Sequence, residues 1–200
     1  MTNETATKFS PSSRQEWREW LKENHSLTQS VWLVYHKKSA QVPNISWSEA
    51  VDEAICFGWI DSLSKPLDKE RYIQFFSKRK PGSGWSKINK NKAEKLIEAG
   101  LMQQAGYDAL EAARKNGSWS LLDEVEELVV PDDLQKALAD KPVGNSFFQK
   151  LSRSHKRNLL QWLVLAKKTE TRQKRIKEIV EFADQNLKPR ILKWTKKPEP

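Results

Sequence analysis

The sequence predicts an α+β fold, with a small, mainly antiparallel sheet and helices in the N-terminal half and an all-helical C-terminal half. Three observations predict it. Val31-Trp32-Leu33-Val34-Tyr35-His36 is β-branched and aromatic throughout, a composition that suits a pleated, half-buried strand. Ile60–Ser64 and Tyr72–Ser77 flank the polar segment 65–70 and read as a hairpin with a longer loop. Beyond about residue 100, apolar residues recur at helical spacing and strand signals stop.

Each element has a local reason. Ser10-Pro11 opens a first helix, because proline suits a first turn, and Trp17, Trp20 and Leu21 form its buried stripe. His25 and Ser26 close it, and the 31–36 strand follows. The polar segment 37–44, with Pro43, is a loop. Ser46 and Glu49 have capping-box spacing, in which each side chain satisfies the other residue's backbone N–H. Gly58 stops that helix, since glycine readily takes the left-handed conformation. The hairpin then pairs with the 31–36 strand. Ser86 caps a helix running to about Ala99, which Gly100 ends. Helices are expected over 103–115, 120–128, 132–140, 153–168 and 170–185, the last two capped by Ser152 and Thr169. Lys188 to Pro200 reads as a basic, proline-containing, frayed tail. The expected organisation is an α+β domain over 1–102, a helical domain over 103–187 and a flexible tail over 188–200.

Composition narrows the function classes. Hydrophobic residues make up 38% and charged residues 30% of the 200, which favours a globular chain with a core. No apolar run approaches the roughly 20 residues of a membrane span, so no membrane insertion is expected. The N-terminus has neither the basic start nor the apolar stretch of a secretory signal, and the single cysteine, Cys56, excludes an internal disulfide. These features together suggest a cytoplasmic protein. The net charge of +9 is uneven: +4 over 1–104, −5 over 105–149 and +10 over 150–200. Such a basic end can attract nucleic acid or simply be the solvated side of basic helices. Nine tryptophans are mostly core candidates, with Trp59 and Trp85 set apart by their motifs.

Two motifs about twenty residues apart carry the distinctive residue types. In Ser46–Ser62, helical geometry places Glu49, Asp52, Glu53 and Cys56 within an arc of about 100°. In Phe76–Asn89, Lys78, Arg79, Lys80 and Lys87 surround Gly82-Ser83-Gly84 ahead of a helix start. The acidic face could be solvated, or it could hold Arg79 or Lys80 by charge-assisted bonds and orient the loop for an anion. The spacing matches neither a Walker loop nor a dinucleotide fingerprint. No histidine accompanies the carboxylates, so no metal site is expected. Acidic neighbours should raise the Cys56 thiol pKa and oppose a nucleophilic role. Near the C-terminus, Leu159, Trp162, Leu163 and Ala166 form a core stripe, and Arg172, Lys174, Arg175 and Lys177 could contact phosphates.

The chain resembles the YdeI/OmpD-associated, or bacteriocin-protection, family. The likeness is carried by Glu49–Ser62, by Arg79-Lys80-Pro81-Gly82-Ser83-Gly84-Trp85-Ser86-Lys87-Ile88-Asn89 and by Ala166–Ile176. That family occurs in bacteria and archaea and has no agreed catalytic residues to transfer. The resemblance implies a part in resistance to bacteriocins or other antimicrobial stress. The functional expectation is therefore a non-enzymatic binding protein with no cofactor. Its ligand surface would comprise Glu49, Glu53, Trp59, Asp61, Arg79, Lys80, Ser83, Trp85 and Lys87, and its partner would be a small anionic ligand or a protein. One alternative is nucleic-acid binding through Arg172, Lys174 and Arg175. Another is a hydrolase-like enzyme using Glu49, Glu53 or Asp61 as general base.

Overall fold

In the computed structural model, residues 6–193 are described, and the chain divides into two compact units between Ser120 and Leu121. The first unit is built on four strands, β1 (Lys8–Phe9), β2 (Ser30–His36), β3 (Trp59–Pro66) and β4 (Arg71–Lys78), in the order β1-β2-β4-β3. The expected hairpin and its pairing to the 31–36 strand are present, with β4 antiparallel to both β2 and β3. The added strand is β1, parallel to β2, too short to leave a sequence signal.

Alternation along the strands sorts two apolar faces. Val31, Leu33, Tyr35 and Phe76 join Trp17 and Leu21 of helix α1 (Arg14–Asn24) and Ala50, Val51, Ala54 and Ile55 of helix α2 (Trp47–Cys56) in one core. Trp32, Val34, Ile73 and Phe75 point the other way and form a smaller cluster. Ser13 rather than Ser10-Pro11 caps α1: its hydroxyl accepts from Glu16 N at 3.2 Å. The capping box at the start of α2 forms as expected, with Glu49 N donating to Ser46 Oγ at 3.2 Å and Ser46 N to Glu49 Oε2 at 2.9 Å.

Helix α3 (Lys87–Glu98) follows its Ser86 cap, and helix α4 (Gln104–Lys115) completes the first unit. The C-terminus of α2 is α4's seat. Gly58 has φ +71°, and a Cβ there would lie 2.6 Å from the Ala105 carbonyl oxygen; at Gly106 it would lie 2.4 Å from that of Cys56. Gln103 N donates to the same Cys56 oxygen at 3.1 Å. The helical stretch that begins at 103 in the sequence reading thus starts within the first unit.

The second unit is helical: α5 (Asp123–Glu126), α6 (Asp132–Ala139), α7 (Pro142–Lys150), α8 (Arg153–Val164), α9 (Thr169–Asp184) and α10 (Arg190–Lys193). Its core holds Leu134, Leu138, Phe148, Leu159, Leu160, Leu163, Ile179 and Leu192. The expected 120–128 helix shrinks to the four residues of α5. Lys168, not Thr169, is the N-cap of α9, with no side-chain bond. Helix α7 was unexpected, although Pro142 at its first turn is a start signal. Of the expected 188–200 tail, residues 194–200 lie outside the described residues, whereas α10 buries Leu192 to 3% exposure.

Candidate functional site

The loop after β4 is built by its own residues. Ser83 N donates to Lys80 O at 2.9 Å, closing a turn with Pro81 in its second position. Gly82 stays out of the left-handed region, and a Cβ there would meet nothing within 4 Å. The turn is clamped from the end of α4: Asn116 Nδ2 and Ser118 Oγ both donate to Pro81 O, at 2.8 and 2.9 Å. Arg79 N donates to Gly58 O at 2.9 Å, tying the loop to the first motif through backbone rather than through charge.

Arg79 lies at the centre of this loop. Its guanidinium carbon sits 3.7 Å from the Trp85 ring centroid, and Nη1 donates to Gly84 O at 3.1 Å. Nε and Nη2 are shielded from solvent and have no hydrogen-bond partner among the described residues. Burial pushes the Arg79 pKa down to about 10, with Asp61 pulling the other way, so it remains a cation at neutral pH. A half-buried cation without a paired carboxylate is costly, and cation–π contact offsets only part of that cost.

Beside it opens a groove of about 840 Å³, lined by Ser30, Ile60, Ser62, Phe75, Ser77 and Lys78 of the sheet, by Gln29 just before β2 and by Arg79, Lys80, Pro81 and Ser83. Strand register explains the grouping, because Ser77 is the partner of both Ser30 and Ile60. Three cationic side chains line the groove and no acidic one does. A second cavity of about 320 Å³, lined by His25, Trp59, Lys78, Arg79 and Asp108 among others, shares Lys78 and Arg79 with it.

The acidic helix face does not hold this loop, contrary to the sequence reading. Glu53 is 2% exposed, with Arg14 Nε donating to Oε1 at 2.6 Å and Arg18 Nη1 to Oε2 at 2.5 Å. Both arginines are on α1, which packs against α2, so the nearest cations are there. Asp52 pairs with Lys92 of α3 at 2.5 Å. Glu49 is occupied by the capping box, whose bonds from Ser46 hold its pKa below the usual carboxylate value. Asp61 Oδ2 accepts from Trp47 Nε1 and Gln74 Nε2, both at 3.0 Å. Cys56 is fully buried, and burial followed by the charge of Glu53 raises its pKa to about 11. Asp52 lines a separate cavity of about 500 Å³ with Arg14, Lys92 and Lys95, where it is already paired to Lys92.

Trp59 and Trp85 are each 1% exposed and offer no ring face at the surface. Trp85 instead forms the shelf under Arg79 and meets Trp119 at 5.2 Å, while Trp59 meets Trp20 edge-on at 6.0 Å. Their indole N–H groups have no partner among the described residues. Lys87 is exposed at the first turn of α3. Of the expected site residues, Arg79, Lys80 and Ser83 share the groove; Lys78, Ser30, Ser62 and Ser77 join them. The sequence reading missed the strand serines, which come together only through strand pairing.

In the second unit, Arg172 is bidentate to Asp133 at 2.5 and 2.9 Å, and Arg175 donates to Trp162 O while lying 5.0 Å from that ring. Both are committed to internal contacts, whereas Lys177 is exposed with only a 3.7 Å pair to Glu181. Among the described residues, no cluster of three or more His, Cys, Asp or Glu side chains could hold a metal ion, and no helix is long and apolar enough to cross a membrane.

The site therefore defines an α+β unit carrying a cationic groove, joined to a helical unit. A family model described as a domain of unknown function (DUF8412) matches residues 9–109, and one described as "Bacteriocin-protection, YdeI or OmpD-Associated" matches residues 127–186. The chain thus belongs to the family of that domain of unknown function, whose model covers half of it, and carries a segment similar to the YdeI/OmpD-associated family in its second unit. Both loop and helix motifs fall in the first match, and only the 166–176 motif falls in the second. Comparison with curated proteins and with solved structures gives no match.

Proposed function

We propose that this protein is a non-enzymatic binding protein whose first unit captures a small anionic ligand in the groove beside Arg79. The supporting observation is a cluster of Lys78, Arg79 and Lys80 with no acidic side chain in the lining. A planar guanidinium suits phosphate or carboxylate oxygens, and its attraction for an anion is strengthened where water is excluded. An anion in the groove adds to the countercharge that Asp61 supplies to Arg79 without a direct bond. The biological setting we propose is cytoplasmic and in resistance to bacteriocins or related antimicrobial stress; the words "Bacteriocin-protection" in the description of the second match support the resistance part alone.

The test is thermal shift and calorimetry of the whole chain with phosphate, sulfate and small carboxylates. Wild type should be stabilised by at least one anion, and Arg79→Gln or Lys80→Ala should lose most of that response. Wild type that no anion stabilises, or variants that respond like wild type, would refute the reading. Resistance is tested separately by exposing cells that lack the protein, or carry Arg79→Gln, to bacteriocins.

A further inference from the structure

We infer that the ligand is a hydroxylated phosphomonoester of the sugar-phosphate class, its phosphate at the Lys78–Lys80 end and its hydroxyls along the strand serines. This rests on the proposed reading of the groove as an anion site. Two observations extend it to a ligand class.

The first is charge. Three cations with no acidic side chain in the lining match a dianion better than a monoanion, and a phosphomonoester carries close to two negative charges at neutral pH. The second is the chemistry of the remaining wall. Ser30, Ser62, Ser77 and Ser83 bring hydroxyls, and Gln29 brings an amide; these side-chain groups make no hydrogen bond to any described residue. Hydroxyls and amides both donate and accept. Inorganic phosphate at neutral pH carries only one or two P–OH donors, so it would leave most of the accepting capacity unused, whereas a polyol matches both halves. A groove of about 840 Å³ also has room for more than an inorganic anion.

The apolar part of the wall argues against a nucleotide. Its one aromatic, Phe75, is only 8% exposed and already meets Trp32 at 4.9 Å, so no open ring face is offered to a base. Ile60 and Phe75 give instead a narrow apolar strip of the kind that the C–H face of a sugar ring can cover.

The experiment is calorimetric titration of the full chain with inorganic phosphate, glucose 6-phosphate, glucose, glucuronate and adenosine monophosphate at one salt concentration. Glucose 6-phosphate should bind at least tenfold more tightly than phosphate or glucuronate, and glucose should not bind detectably. Ser62→Ala, at an exposed position, and the double variant Ser62→Ala/Ser77→Ala should remove much of the advantage over phosphate. Arg79→Gln should weaken both anions together. Equal binding of phosphate and glucose 6-phosphate overturns the ligand class and leaves the anion site standing. So does tighter binding of adenosine monophosphate, or an advantage that survives serine removal. Failure of every anion overturns the class and the anion-site reading together.

Discussion

Arg79 is a residue that stability alone does not explain. It is half-buried beside Trp85 with two unpaired nitrogens, where methionine could fill similar space without a desolvated charge. Arg79→Met should therefore stabilise the ligand-free chain by about 0.5–2 kcal/mol while abolishing the anion response. Denaturant melts check this, and a large loss of stability would make Arg79 structural. Glu53 should behave in the opposite way. Glu53→Ala leaves two guanidinium groups facing a cavity and should cost about 3–5 kcal/mol, with Arg14→Ala costing less because Arg14 is half exposed. Cys56 gives a pH test. Its folded pKa of about 11 exceeds the ordinary thiol value, so the folded chain binds more protons between about pH 9 and 11. Stability should then fall as pH rises through that window, more steeply in wild type than in Cys56→Ala. Thiol reagents at pH 8 should modify Cys56 only after unfolding.

At the scale of elements, the first motif is a docking joint. The end of α2 and the start of α4 approach so closely that glycine is required at 58 and 106. Gly106→Ala must displace Met102 or the Cys56 carbonyl and should cost about 1–3 kcal/mol by overpacking. Gly58→Ala adds the strain of a left-handed backbone, about 1–2 kcal/mol more. Thermal melts rank the two, with Gly58→Ala the worse. Because α4 also ends in the Asn116 and Ser118 clamp on Pro81, both variants should weaken anion binding through the loop.

For the molecule as a whole, each unit has its own core, and the groove lies wholly in the first. Residues 1–120 expressed alone should fold and retain the anion-dependent thermal shift, whereas residues 121–200 should show none. Circular dichroism and calorimetry on the two pieces decide it.

Much of the fold was readable from local pattern. Sheet strands, the capping box, the Gly58 stop and most helices follow from periods and end signals that depend on neighbouring residues. Strand β1 and helix α10 escaped because a two-residue strand and a four-residue helix carry almost no periodicity. The site was half readable: the basic loop could be picked out by residue type, but its partners could not. Charge alone suggested that the acidic face of Glu49, Asp52 and Glu53 could hold Arg79 or Lys80. Packing of α1 on α2 brought Arg14 and Arg18 to Glu53 first, and a buried carboxylate filled by two guanidinium groups has nothing left to offer a third. The sequence by itself determined which residues are cationic, where helices begin and which strands alternate. Only the tertiary structure decided which carboxylates those cations would be denied, because long-range pairing depends on which surfaces the folded core brings within a few ångströms.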